Sequence, residues 1–268
     1  MDLFELLEYE FMRTALWAIL LLVPLLSLLG TLVVNNGMSF FSDALGHSAL
    51  TGVAIGVVAG VSRYQWVMLL FAVVFALLMN RIRHARIAST DTVIGVFSSV
   101  GVALGLLLLS RDGNIANYQS LLVGDVLSIT PADLWVVGGT LAVTVVLWLF
   151  GFGGFHAISI SPAVARSKGL PVRLLDDLFV VLLAVVVMLS IRWVGLLLIN
   201  AMLILPAAAA RNVARSMRSF HLLSVLFGLF AGVLGLWLSY YNAVATGPAI
   251  ILVLAALFFG TFALRKNG

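Results

Sequence analysis

Asp43 and His47 stand four positions apart in Ser42-Asp43-Ala44-Leu45-Gly46-His47-Ser48, at the head of an otherwise apolar run. In a helix that spacing puts both side chains on one face, with Cβ atoms about 5–6 Å apart. A carboxylate and an imidazole so placed can share one divalent cation, and zinc takes both ligand types at about 2.0–2.2 Å. Two ligands leave the shell incomplete. Either a second copy of the chain duplicates them into an Asp2His2 set on a two-fold axis, or other helices supply the rest. The spacing equally allows a structural role, with Asp43 capping the helix and His47 hydrogen-bonded to it. Ser48, Gly52, Gly56 and Gly60 follow at four-residue intervals. Small residues in that pattern let a second helix approach closely, which places the Asp–His face in a packed interior.

The other polar residues read more plainly. Asp125 is expected in a loop at the membrane interface and Asp91 at a helix cap. Asp176 and Asp177 open a helix, where acids favour the positive end of its dipole. His84, among arginines, and His221, at a span start, are expected to be solvated. His156 is expected in an interfacial loop after Gly151-Phe152-Gly153-Gly154, a stretch without the Lys and preceding strand of a phosphate loop. In Ser161-Pro162-Ala163-Val164-Ala165-Arg166-Ser167-Lys168-Gly169-Leu170-Pro171 the punctuation of a short helix is complete. Ser161 is an N-cap, Pro162 suits the first helical position, Gly169 suits the left-handed C′ position, and Pro171 forbids continuation. The result is a helix of about two turns, roughly 10 Å long. It would present Ala163 and Ala165 beside Arg166 and Lys168, a shape suited to a groove on another protein or to resting on headgroups. Pro206 is expected to kink or end the span that contains it.

The elements that carry these residues follow from composition. Of 268 residues, 63% are hydrophobic and 10% charged, and mean hydropathy is +1.18. A soluble domain is roughly 45–50% apolar and roughly 25% charged, so a water-soluble globule and a disordered chain are both excluded. With no cysteine, disulfides, thiolate metal sites and thiol nucleophiles are excluded too. No segment carries an HExxH or Gly-x-Ser-x-Gly motif, so an intramembrane enzyme is not indicated. Apolar runs at about Met12–Val34, Ala44–Val61, Trp66–Asn80, Thr92–Leu109, Leu134–Phe152, Leu174–Ile191, Val194–Ala210, Phe220–Tyr240 and Pro248–Leu264 match the roughly 17–25 residues of a membrane helix. The expected fold is all-α, a polytopic transmembrane bundle of about nine spans forming one transmembrane domain over residues 1–268. Residues 1–11 read as an interfacial amphipathic segment whose acidic start is unlike a signal peptide. Tyr118–Ile129, too short to cross, reads as re-entrant or packed.

Lys and Arg orient the bundle. With the N-terminus outside, the cytoplasmic side collects Arg81, Arg83, Arg86, Arg166, Lys168, Arg173, Arg211, Arg215, Arg218, Arg265 and Lys266, eleven of the fifteen basic residues. Topology is therefore N-out and C-in, and the pI near 9.9 needs no nucleic acid to explain it.

Met38-Ser39-Phe40-Phe41-Ser42-Asp43-Ala44-Leu45-Gly46-His47-Ser48-Ala49-Leu50 resembles the "MS-x-x-x-D-x-L-x-H-x-x-L" motif of the permease subunits of bacterial ATP-binding-cassette importers for zinc and manganese. So do Asp91-Thr92-Val93-Ile94-Gly95, Leu122-Val123-Gly124-Asp125-Val126-Leu127, the Ser161–Gly169 loop, Val194-Gly195-Leu196, Leu205-Pro206-Ala207, Ser239-Tyr240-Tyr241 and Thr246-Gly247-Pro248. The likeness runs in order through nearly the whole chain. It implies a permease of the bacterial inner membrane, a homodimer or close heterodimer. Two cytoplasmic ATPase subunits and an extracytoplasmic metal-binding protein would work with it. There, residues 161–169 resemble the coupling helix that docks on the ATPase, and Asp43 and His47 match positions that handle the metal. Two departures stand out: Asn35-Asn36-Gly37 replaces the usual basic residues before Met38, and Asn242-Ala243-Val244 replaces a D-x-P before the last span.

The reading is a translocation subunit with no intrinsic cofactor and no nucleotide site, carrying zinc, manganese or iron inward while partner subunits hydrolyse ATP. The alternatives are an ion- or proton-coupled secondary transporter, and a permease for an organic chelate such as a siderophore or cobalamin.

Overall fold

In a computed structural model the chain is described over residues 8–85, 88–110, 124 and 126–265. The described residues hold nine α-helices: α1 Glu10–Asn35, α2 Phe41–Val58, α3 Tyr64–His84, α4 Thr90–Ser110, α5 Pro131–Ile160, α6 Pro162–Ser167, α7 Val172–Val213, α8 Met217–Asn242 and α9 Thr246–Leu264. One 3₁₀ turn, Val126–Ser128, precedes α5, and no strand occurs among the described residues. Helices are what lipid demands, because each satisfies its own backbone donors and acceptors. The expectations for residues 1–7, Arg86, Lys266 and Asp125, and most of the re-entrant segment, fall outside the described residues.

Among the described residues, eight helices are long and apolar enough to cross a membrane. One of them, α7, has 42 residues and a length of about 63 Å, twice the bilayer core. It breaks at Gly195, where φ 78° and ψ 159° fall in a region essentially reserved for glycine. The break lies between the sixth and seventh apolar runs, so α7 is long enough to hold both. Pro206 sits inside the continuing helix. Pro206 does not end the helix, and the non-helical backbone lies eleven residues upstream, at Gly195.

The helices gather into two compact units. The first holds the described residues of Met1–Val34, Asp125–Leu147 and Trp193–Gly268, and the second those of Asn35–Gly124 and Trp148–Arg192. Within the first, glycines permit backbone-level contact. Gly228 faces Ser27 and Val23, Gly235 faces Ile250, and Gly30 abuts the backbone of Leu203. Buried hydroxyls and a ring nitrogen cross the α1–α8 seam. Ser224 donates to the Ser27 carbonyl at 3.0 Å, and Thr31 Oγ1 lies 2.7 Å from His221 Nδ1. Thr31 donates its own proton to the Leu28 carbonyl at 2.6 Å, so His221 Nδ1–H is the donor in that pair. His221 is 8% exposed and not solvated as its position at a span start suggested, because α1 covers it and Thr31 supplies its partner.

In the second unit α2 is the central helix, 72% buried against 28% for both α3 and α4. A Cβ at Gly52 would sit 2.7 Å from Met68 Cα, and one at Gly56 would sit 2.7 Å from Tyr64 Cβ. Those two glycines therefore seat α3 directly on α2. Across from them Thr51 donates to the Gly101 carbonyl of α4, and Gly105 faces Thr51 N at 2.9 Å. Gly60 is not part of the packing stripe. It takes φ +67°, and a Cβ there would touch nothing within 4 Å, so it turns the chain out of α2.

Candidate functional site

The first turn of α2 sets the geometry of Asp43 and His47. The helix begins at Phe41 with Phe40 as N-cap and no side-chain cap hydrogen bond. Asp43 is thus inside the helix rather than at its cap, and the capping alternative falls. Its carboxylate lies at the positive end of the helix dipole, a favourable place for an anion. Asp43 Oδ2 and His47 Nε2 are 3.6 Å apart, with side chains 39% and 36% exposed. From Phe41 to Ala54 every residue of α2 is buried except these two. Over that stretch the helix presents only its acid and its imidazole.

The 3.6 Å separation is longer than a good N–H···O hydrogen bond but near the ligand-to-ligand distance on one ion. Two donors at about 2.1 Å are about 3.0 Å apart at a right angle and about 3.4 Å apart at the tetrahedral angle. A few tenths of an ångström of side-chain adjustment closes the difference. Among the described residues no group of three or more His, Asp or Glu side chains converges to hold a metal. Ser48 lies beside the pair's helix face against Gly101 of α4, at 3.4 Å from a Cβ built there, and donates to the Leu45 carbonyl at 2.7 Å.

The turn before α2 is held without basic residues. Gly37 takes φ +63°, and Asn35 Nδ2 donates to the Ser159 carbonyl of α5 at 3.1 Å and to its hydroxyl. Asn35 thereby fixes the turn that leads to Asp43 and His47 through amide hydrogen bonds instead of charge. At the other departure from the motif, Ala243 adopts φ 50° at the end of α8, while Ser239 donates to the Val244 carbonyl at 2.5 Å.

The short helix α6 forms with the boundaries its punctuation called for. Ser161 accepts from Val164 N at 3.4 Å, and Pro162 opens the helix. Gly169 takes φ +75°. Gly169 N donates to the Arg166 carbonyl at 3.0 Å and Leu170 N to the Ala165 carbonyl at 3.1 Å, the paired bonds of a Schellman ending. Pro162, Ala163, Val164, Arg166, Ser167 and Lys168 are exposed. Ala165 is not; it is fully buried with Ile158 and Val172, and Leu170 and Leu175 pack on it. The small residue is used to seat α6 on the ends of α5 and α7.

The remaining polar residues correct four expectations. Asp91 lies within the first turn of α4, and Ser89 caps that helix by accepting from Thr92 N at 3.2 Å. His156 is helical and 8% exposed, edge-on to Trp148 with centroids 6.2 Å apart. The Gly-rich stretch is not a loop, because Gly154 is where α5 touches Leu175 of α7. His84 is not merely solvated, with Nε2 3.3 Å from Asp176 and Nδ1–H donating to the Asn80 carbonyl at 3.0 Å. Asp176 is not a solvated dipole partner; it is 5% exposed and 2.5 Å from Arg83 Nη2. Arg83 also donates to Asn80 Oδ1 at 2.8 Å, and Asn80 Nδ2 donates to Asp177 at 2.8 Å. Sequence reasoning missed this network. Its signal was present: Asn80, Arg83 and His84 share one face at the end of α3, and Asp176-Asp177 is a paired acid at the head of α7.

A bundle of membrane-length helices with a polar pair on its most buried helix and a short capped helix between two spans is the architecture of a multi-pass membrane protein. Residues 8–265 match the ABC 3 transport family, and the chain belongs to that family of the inner membrane. It is similar to the manganese import system permease protein ScaB of Streptococcus gordonii, 31% identical over 256 residues, covering 95% of this chain and 91% of that protein. It is also similar to the high-affinity zinc uptake system membrane protein ZnuB of Haemophilus influenzae, 29% identical over 251 residues, covering 93% and 96%. Among solved structures, PsaBC from Streptococcus pneumoniae in complex with Fab superposes with a TM-score of 0.85 at 30% identity, covering 99% of this chain and 97% of that one.

Proposed function

We propose that this chain is the translocation subunit of an ATP-driven importer for a divalent transition metal, manganese or zinc, and that Asp43 and His47 are ligands the ion meets in transit. The observation that carries the reading is that, from Phe41 to Ala54, Asp43 and His47 are the two residues of α2 that are not buried. Carboxylate and imidazole together suit both metals, and the relatives' printed names include both manganese and zinc systems. Two ligands per chain bind weakly enough to release the ion. A second copy facing the same axis would complete a transient four-ligand shell.

The chain works with two ATPase subunits, which hydrolyse the ATP, and with an extracytoplasmic metal-binding protein that delivers the ion. The exposed face of α6, with Ala163 and Val164 flanked by Arg166 and Lys168, is the dock for the ATPase. Small apolar residues fit a groove there, and the basic ends meet acidic groups on its rim. Asp43→Ala/His47→Ala in the assembled importer should reduce uptake of radiolabelled manganese or zinc by at least about 10-fold, the loss expected when a charged ligand pair is removed from an ion path. Uptake equal to that of the unaltered importer refutes the assignment of the pair. Uptake that persists after ATP is withdrawn and stops with a proton ionophore establishes the secondary-transporter alternative instead.

A further inference from the structure

Arg83 and Asp176 present a problem that the transport pair does not explain. They form a close ion pair with side chains 13% and 6% exposed, and Arg83 Nε is buried without a hydrogen-bond partner. Taking two charges out of water costs several kcal/mol per ion, and an apolar pair of the same volume often stabilises more. Stability is therefore a poor reason for the pair, and its location supplies a better one. Asp176 stands in the first turns of α7, four residues past the cluster in which Ala165 of α6 packs on Val172. The Schellman ending and that apolar contact make α6 and the head of α7 move as one piece. Arg83 is one residue from the end of α3, and α3 is seated on α2 through Gly52 and Gly56 so closely that a Cβ at either glycine would come within 2.7 Å of α3.

We propose that the Arg83–Asp176 pair, with Asn80 and Asp177 beside it, is the link through which displacement of α6 reaches α3 and hence the Asp43–His47 helix. Arg83 Nη2 holds Asp176 at 2.5 Å while its bond to Asn80 on the same helix, at 2.8 Å, fixes the guanidinium, and Asn80 Nδ2 adds a second bond across, to Asp177 at 2.8 Å. Next to it a cavity of about 350 Å³ is lined by Asn80, Arg81, His84, Ala85, Arg173 and Asp177. Apolar packing does not fill this side of the contact. The two helix ends therefore have room to pivot while the charges keep them joined. Arg83 and Asp176 are positioning residues and touch no metal.

This inference rests on the reading of α6 as the ATPase dock, and its test does not depend on the metal. The chain has no cysteine, so Ile55→Cys on α2, at a position 36% exposed, is a single reporter. In the importer assembled with its ATPase in nanodiscs, maleimide labelling of that cysteine is timed with and without ATP and vanadate. The unaltered pair should give a nucleotide-dependent change in labelling rate. Arg83→Met/Asp176→Leu should shrink that change by about 2- to 30-fold, the range for residues that couple distant sites, while ATP hydrolysis continues. The reversed pair Arg83→Asp/Asp176→Arg should restore at least part of it, which a purely structural role would not require. If the apolar pair does not assemble, Arg83→Lys is read the same way, because it keeps the charge and loses the rigid planar fork. An undiminished response in these variants, or no nucleotide response in the unaltered chain, overturns the link. A normal response without uptake of manganese or zinc leaves the link standing and removes the metal reading.

Discussion

Replacing Gly169 tests the dock at the residue that ends α6. Its φ of +75° is left-handed, and a Cβ there would meet nothing within 4 Å, so Gly169→Ala adds no clash, only backbone strain. Left-handed backbone costs an L-residue about 1–2 kcal/mol. The free loop can relieve that strain by releasing the Gly169 and Leu170 N–H bonds to Arg166 and Ala165, at the expense of α6 order. Docking must restore the ordered form, so the cost reappears in the affinity for the ATPase. At 1.4 kcal/mol per tenfold, Gly169→Ala should weaken that affinity by about 5- to 30-fold. Gly169→Asn should weaken it less, because asparagine tolerates the left-handed region. The assay is equilibrium binding of purified ATPase to the permease in detergent, with circular dichroism confirming an unchanged helix content. An alanine variant that binds as tightly as the original, or an asparagine variant that binds worse than alanine, refutes the reasoning.

The packing and backbone claims make further predictions. Gly52→Ala forces a Cβ to 2.7 Å from Met68 Cα and should cost about 1–3 kcal/mol as overpacking. Gly95→Ala, in α4 with open space around it, should be neutral or stabilising by up to about 1 kcal/mol; both are read by thermal unfolding in detergent. Ala243→Gly should raise stability by about 1 kcal/mol by relieving the φ of 50°, and an unchanged melting midpoint argues against strain there. Thr31→Val removes the acceptor of the buried His221 N–H and should cost about 1–3 kcal/mol. Thr31→Val/His221→Leu should recover part of it, and additive losses in that cycle would deny the hydrogen bond.

The same contrasts show which features could be read in advance. Apolar run length marked every crossing, since lipid leaves few other ways to satisfy a backbone. The ending of α6 was readable to the residue because Ser161, Pro162 and Gly169 each act through their own local conformation. His221 was expected in water, His156 in a loop, and Asp176 only as a dipole partner, yet all three are buried. The burial of Asp176 and His221 involves α3 and α1, neither of which is adjacent in sequence to the residue it affects. Pro206 does not end its helix because a proline inside a membrane helix can be accommodated, whereas Gly195 holds a backbone conformation that no other residue reaches cheaply.

Composition, charge distribution and local punctuation thus determined that this chain is a polytopic helical membrane protein, and they brought Asp43 and His47 onto one face. Those are properties of single helices and of the lipid around them. That α2 would be covered from Phe41 to Ala54 except at that pair, and that Arg83 would meet Asp176 across 93 residues of chain, was decided only by tertiary packing. The physical reason is that burial and pairing are made by partners distant in sequence, whose approach is set by which glycines leave room for them.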